Sequence, residues 1–114
     1  MRPDVGFFEI LGPDQDRSQA FYRDLFDWAV KPNPDQDGYA MVSTSQAAGI
    51  PGGIGEHPSP LTRVYVRAQA LTDAIHRAEA LGGRLVQEPR DLPGGQGSVA
   101  IIADPACVEI GLWQ

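Results

Sequence analysis

The chain is expected to adopt an α+β fold of two βαβββ modules forming a curved mixed sheet around a cavity, and three observations predict it. Short alternating apolar stretches read as strands, each half carries one segment with helical apolar spacing, and both halves run strand, helix, strand, strand, strand at an offset of about 56 residues. With 114 residues, the chain suits one domain burying about two thirds of the surface that it exposes when unfolded.

The first module is expected over residues 5–55. Residues 5–11, VGFFEIL, alternate as a strand, and GPDQD turns the chain into a helix from Gln15 to Phe26 capped by Asp14 or Asp16. Phe21, Tyr22, Leu25 and Phe26 make its apolar stripe. Trp28 to Lys31 reads as a short strand that Pro32 closes, PNPDQDG as a turn, and YAMVST (39–44) as a third strand. The fourth, AAGIPGGIG (47–55), is weak, and its glycines suit an edge, a bulge or a close backbone approach.

After a linker over 56–61, the second module is expected over 62–114. TRVYVR (62–67) is a strand. Leu71, Ala74, Ile75, Ala78 and Leu81 mark a helix over 70–82 that ends at Gly82-Gly83. RLVQEP is a strand stopped by Pro89, DLPGGQG a turn, and SVAIIA and CVEIGLW the last two strands. One helix covers one face of each four-stranded sheet, so two modules side by side can close their other faces around a cavity where chemistry is expected.

Composition narrows the function. With 15 acidic residues against 9 basic ones, a net charge of −6, and arginines scattered around a single lysine, Lys31, no basic stripe exists for a phosphate backbone to follow. No nucleic-acid partner is expected. The one cysteine, Cys107, has no partner for a disulfide or a CxxC site, which makes a reducing cytoplasm the default. No apolar run is long enough to span a bilayer, so no membrane partner is expected either.

FEILGPDQDRSQAFYRDLFDW closely resembles the opening of vicinal-oxygen-chelate proteins, the superfamily of glyoxalase I, bleomycin-resistance and fosfomycin-resistance proteins and extradiol dioxygenases. RVYVRAQALTDAIHRAEALGGRLV and ADPACVEIGLWQ are similar to the strand and helix of the family's second module and to its closing Asp-Pro turn and last strand. The resemblance covers nearly the whole chain. It implies metal ligands at the positions held here by Phe7, by Arg63 to within one residue, and by Gly111. A phenyl ring, a guanidinium and a glycine hold no divalent cation, so no metal and no cofactor are expected.

Strand parity then nominates the site. Phe7, Glu9 and Leu11 share one face of the first strand, and Tyr65 and Arg67 follow the parity of position 63. Glu109, Gly111 and Trp113 share the cavity face of the last strand, with Val108, Ile110 and Leu112 packing on the helix. Glu9 is the candidate catalytic base; Phe7, Glu9, Tyr65, Arg67, Glu109 and Trp113 are the candidate ligand-binding residues. Each has a structural alternative: Glu9 as an inward carboxylate paired with an arginine such as Arg67, Glu109 as a solvent-facing side chain, Trp28 and Trp113 as packing. His76, His57 and Cys107 are read as solvated, linker and turn residues.

The expected function is binding of a small organic molecule, either as a sequestering, resistance-type protein or as a cofactorless lyase or isomerase using Glu9. The alternatives are a metal-dependent glyoxalase- or dioxygenase-like enzyme with ligands relocated to Glu9, His57 and Glu109, and an interaction module whose cavity is filled. The resemblance implies a homodimer.

Overall fold

The computed structural model describes residues 2–45 and 48–114. Its elements are β1 (Val5–Gly12), α1 (Gln15–Phe26), β2 (Ala29–Pro32), β3 (Tyr39–Ser43) and β4 (Gly52–Glu56), then β5 (Leu61–Arg67), α2 (Leu71–Ala80), β6 (Arg84–Asp91), a 3₁₀ turn at Pro93–Gly95, β7 (Ser98–Ala103) and β8 (Glu109–Trp113). The fold is α+β, with the βαβββ order stated twice. Two compact units emerge, residues 7–62 and residues 63–114, the latter joined by the chain's start through Gly6. Asp4 belongs there because its carbonyl accepts the Arg67 N–H at 2.8 Å.

In the first unit the strand order is β2-β3-β4-β1, with β1 parallel to β4 and the other pairs antiparallel. Register aligns Phe8, Gly52 and Val42 in one row and Ile10, Ile54 and Ala40 in another. These rows lie under α1, and Ala40, Val42 and Ile54 are fully buried. The α1 helix begins where Asp14 accepts the Arg17 N–H, which satisfies a donor that the first turn cannot. It ends at Asp27, held in the left-handed region with φ 58°. Its apolar stripe is mostly open: Phe21, Leu25 and Phe26 are exposed, while Tyr22 stacks on Trp28 at 5.7 Å and Trp28 meets Phe8 at 5.9 Å.

The second unit orders its strands β5-β8-β7-β6. Leu71 and Ile75 of α2 pack with Ala100 and Leu112 in one cluster, joined by Val66, Leu85 and Ile102. No side chain within α2 caps its start. Instead the Gln114 carboxamide oxygen accepts the Leu71 N–H at 2.9 Å. The helix stops at Leu81, where Gly82 takes φ 96° and the Gly83 N–H returns to the Ala78 carbonyl.

Several expected boundaries move, among them that of β2, which begins after Trp28 and includes Pro32 instead of being closed by it. β4 starts at Gly52 rather than 47, and Ala47, the first residue of that expected strand, lies outside the described residues. β6 runs through Pro89 to Asp91. It tolerates the proline because it pairs only with β7 in its unit's sheet and shifts register between Gln87 and Arg90. Val108 precedes β8 in the turn and is 61% exposed, so it does not pack on the helix as the alternation suggested. Among the described residues no helix is long and apolar enough to cross a membrane.

Candidate functional site

The face of the first unit's sheet turned away from α1 carries Glu9, Leu11, Tyr39, Met41, Gly53 and Gly55, as the register requires. Asn33 begins the turn that delivers Tyr39: its side-chain oxygen accepts the Asp35 N–H, and its own N–H reaches the Tyr39 carbonyl at 2.9 Å. From the head of β3 the Tyr39 ring lies across β4, and its hydroxyl donates to Glu9 Oε2 at 2.7 Å. A methyl group at Gly53 or Gly55 would overlap that ring. Phe7 and Glu9 are half-buried. Tyr39 is the residue that parity along single strands does not nominate. The signal for it was two glycines on one face of one strand, flanking the buried Ile54.

The corresponding face of the second unit gathers Arg63, Tyr65, Arg67, Glu109, Gly111 and Trp113. Arg63 is 8% exposed and donates through Nη2 to Glu109 Oε1 at 3.1 Å, while the Glu109 side chain stays 42% exposed. Glu109 is therefore an ion-pair partner at the rim of this face. The Tyr65 ring lies on Gly111, where any Cβ would overlap it. Arg67 sets its guanidinium 4.7 Å from the Trp113 ring centroid, and the Trp113 indole N–H donates to the Gln96 carbonyl at 2.9 Å. A cation over an indole is a stacking surface already organised for a planar or anionic group.

These residues do not fit a divalent cation. Arg63 brings a positive charge to its position, Phe7 brings no donor atom, and the space a carboxylate would need at Gly111 is taken by the Tyr65 ring. Among the described residues no group of three or more His, Cys, Asp or Glu side chains could hold a metal ion, so Glu9, His57 and Glu109 form no such group. His57 turns Nδ1 to the backbone of Ser59. Cys107 is exposed in the turn after Asp104, whose carboxylate accepts the Ala106 and Val108 N–H groups, and His76 is exposed on α2.

A separate cleft of about 650 Å³ lies in the first unit, lined by Leu11, Pro13, Arg17, Phe21, Tyr22 and Pro60 among others. None of the six candidate binding residues lines it. The cleft borders α1, whereas Glu9 and Tyr39 lie on the sheet face turned away from that helix.

Residues 5–45 match the family model described as bleomycin resistance protein-like N-terminal. The chain is 28% identical over 126 aligned residues to the anthracycline biosynthesis protein DnrV of Streptomyces peucetius, covering 95% of this chain and 46% of that protein. The chain thus spans about half the length of the curated relatives it matches. Among solved structures, methylmalonyl-CoA epimerase from Mycobacterium tuberculosis superposes with a TM-score of 0.72 at 18% identity, covering 96% of this chain and 85% of that one. The Mn(II)-bound glyoxalase from Novosphingobium aromaticivorans gives 0.68 at 17% identity, with 98% of this chain and 40% of that one covered.

Proposed function

We propose that the chain is a vicinal-oxygen-chelate protein that binds a small organic molecule without a metal, the sheet face with Glu9 and the sheet face with Trp113 each being a candidate binding surface of its own unit. The observation that carries this reading is the replacement of donor atoms by packed rings and a guanidinium: Tyr65 on Gly111, and Arg63 paired with Glu109. What those faces offer instead is recognition chemistry. Glu9, held by the Tyr39 hydroxyl, supplies a charged acceptor, Trp113 and Arg67 a stacked cation and indole, and Phe7 an apolar surface.

The ligand is a planar, polycyclic aromatic compound of the anthracycline kind. The similarity to an anthracycline biosynthesis protein supports this class, as do the aromatic rings on both faces. The role is sequestration, or a cofactorless lyase or isomerase step in which Glu9 removes a proton from the bound molecule. Two copies of the chain pair as a homodimer, which would match the roughly double length of the curated relatives, and the protein works in a reducing cytoplasm.

A thermal-shift screen of anthracyclines, simpler quinones and small metabolites tests the reading on wild type and Glu9→Gln. A compound at one hundred times its Kd stabilises its binder by about 2.7 kcal/mol. Stabilisation of wild type that shrinks in Glu9→Gln is the expected result. Equal stabilisation of both proteins would remove Glu9 from the site.

A further inference from the structure

We infer that Tyr39 is a positioning residue for Glu9, and that Gly53 and Gly55 are glycines so that it can do this work. The inference rests on the proposal above that the Glu9 face is the ligand site, but half of its test needs no ligand. The order β3-β4-β1 puts a whole strand between the two side chains. Neighbouring strands lie about 4.8 Å apart, so a phenol starting on β3 meets a carboxylate on β1 only by lying flat over β4.

Register shows what that demands. Tyr39 stands opposite Gly55, and Gly53 stands between Met41 and Glu9. The ring therefore leans along the sheet by two residues and covers both glycines, with its hydroxyl end over Gly53. Any Cβ at position 53 would overlap the hydroxyl itself. Glycine weakens a strand interior, and here it falls at both covered positions while Ile54 between them is fully buried on the other face.

The hydrogen bond produced is of the stronger kind, a phenol donating to a carboxylate at 2.7 Å. It helps to fix the Glu9 side chain before a ligand arrives, so that less rotamer freedom is lost on binding. Tyr39 acts through Glu9 rather than by touching the bound molecule.

The experiment is a double-mutant cycle with a fluorescent anthracycline as probe, on wild type, Tyr39→Phe, Glu9→Gln and the double variant. The hydrogen bond is present in the free protein, so what Tyr39→Phe removes from binding is the prior ordering of one side chain, which corresponds to up to about tenfold in Kd. Tyr39→Phe is expected to weaken binding by up to about tenfold in wild type and less than about twofold in Glu9→Gln. Gly53→Ala keeps the tyrosine but displaces it, and is expected to match Tyr39→Phe. Gly12→Ala, where the nearest atom to an added Cβ is Pro60 Cα at 4.0 Å, leaves binding unchanged.

An equal loss in both backgrounds, or no loss in either, overturns the inference. If wild type does not bind the probe at all, the functional proposal loses its ligand class, and crystal structures of wild type and Tyr39→Phe decide the positioning role alone. One Glu9 rotamer in wild type and a shifted or multiple one in the variant supports it; an unmoved Glu9 refutes it.

Discussion

Replacing Gly111 with alanine asks whether the Tyr65 ring really occupies the space where the family resemblance places a metal ligand. In an unobstructed strand, glycine costs roughly 0.5–1 kcal/mol relative to alanine, so the substitution alone should stabilise. Here the new methyl group would overlap Tyr65 Cγ, Cδ2 and Cε2. These atoms belong to the base and near edge of a ring that is 6% exposed, not to the free end of a flexible chain. Overpacking of this kind costs about 1–3 kcal/mol, and the clash outweighs the gain. Gly111→Ala should therefore destabilise by about 1–2 kcal/mol, a fall of about 4 °C in Tm per kcal/mol. Urea unfolding of the variant is the assay, with Gly12→Ala as the strand glycine that has room and should gain stability. In a Tyr65→Ala background the penalty at position 111 should vanish or change sign. A Gly111→Ala protein more stable than wild type would show that Tyr65 does not hold this space.

Three further outcomes follow from single contacts. Glu109→Ala removes the carboxylate that Arg63 meets at 3.1 Å and should cost about 1–2 kcal/mol by chemical denaturation, less than a fully buried pair because Glu109 is partly solvated. Gln114→Ala deletes the side-chain acceptor of the Leu71 N–H at the start of α2. It should lower stability by about 0.5–2 kcal/mol and speed amide exchange in the first turn of that helix. Asp27→Gly relieves a non-glycine residue at φ 58° and should raise Tm slightly, by up to about 1 kcal/mol of stability; a loss would mean that the Asp27 side chain does work not seen in its backbone.

Much of this architecture could be read along the chain. Gln15 to Phe26 forms the expected helix with Asp14 as its cap, because an acceptor before a regular apolar stripe is a local signal. The parity that grouped Glu109, Gly111 and Trp113, and Tyr65 with Arg67, holds because strand alternation is set by the backbone. Features that depend on which strands are neighbours were not legible. Tyr39 reaches Glu9 only because β4 lies between β3 and β1, and no spacing within the sequence states that order. Pro89 reads locally as a stop, yet β6 continues past it, since a register shift and an unpaired edge within its unit absorb the missing donor. Val108 has the alternation of a core residue but sits in the turn that Asp104 closes.

The central claim is that this chain recognises an organic molecule at a site that coordinates no cation. Isothermal titration of tag-free protein with manganese(II), nickel(II) and zinc(II) tests it most directly. The expected result is no saturable binding at one ion per chain. One equivalent bound with Kd near or below about 1 μM, and lost in Glu9→Gln, would contradict it.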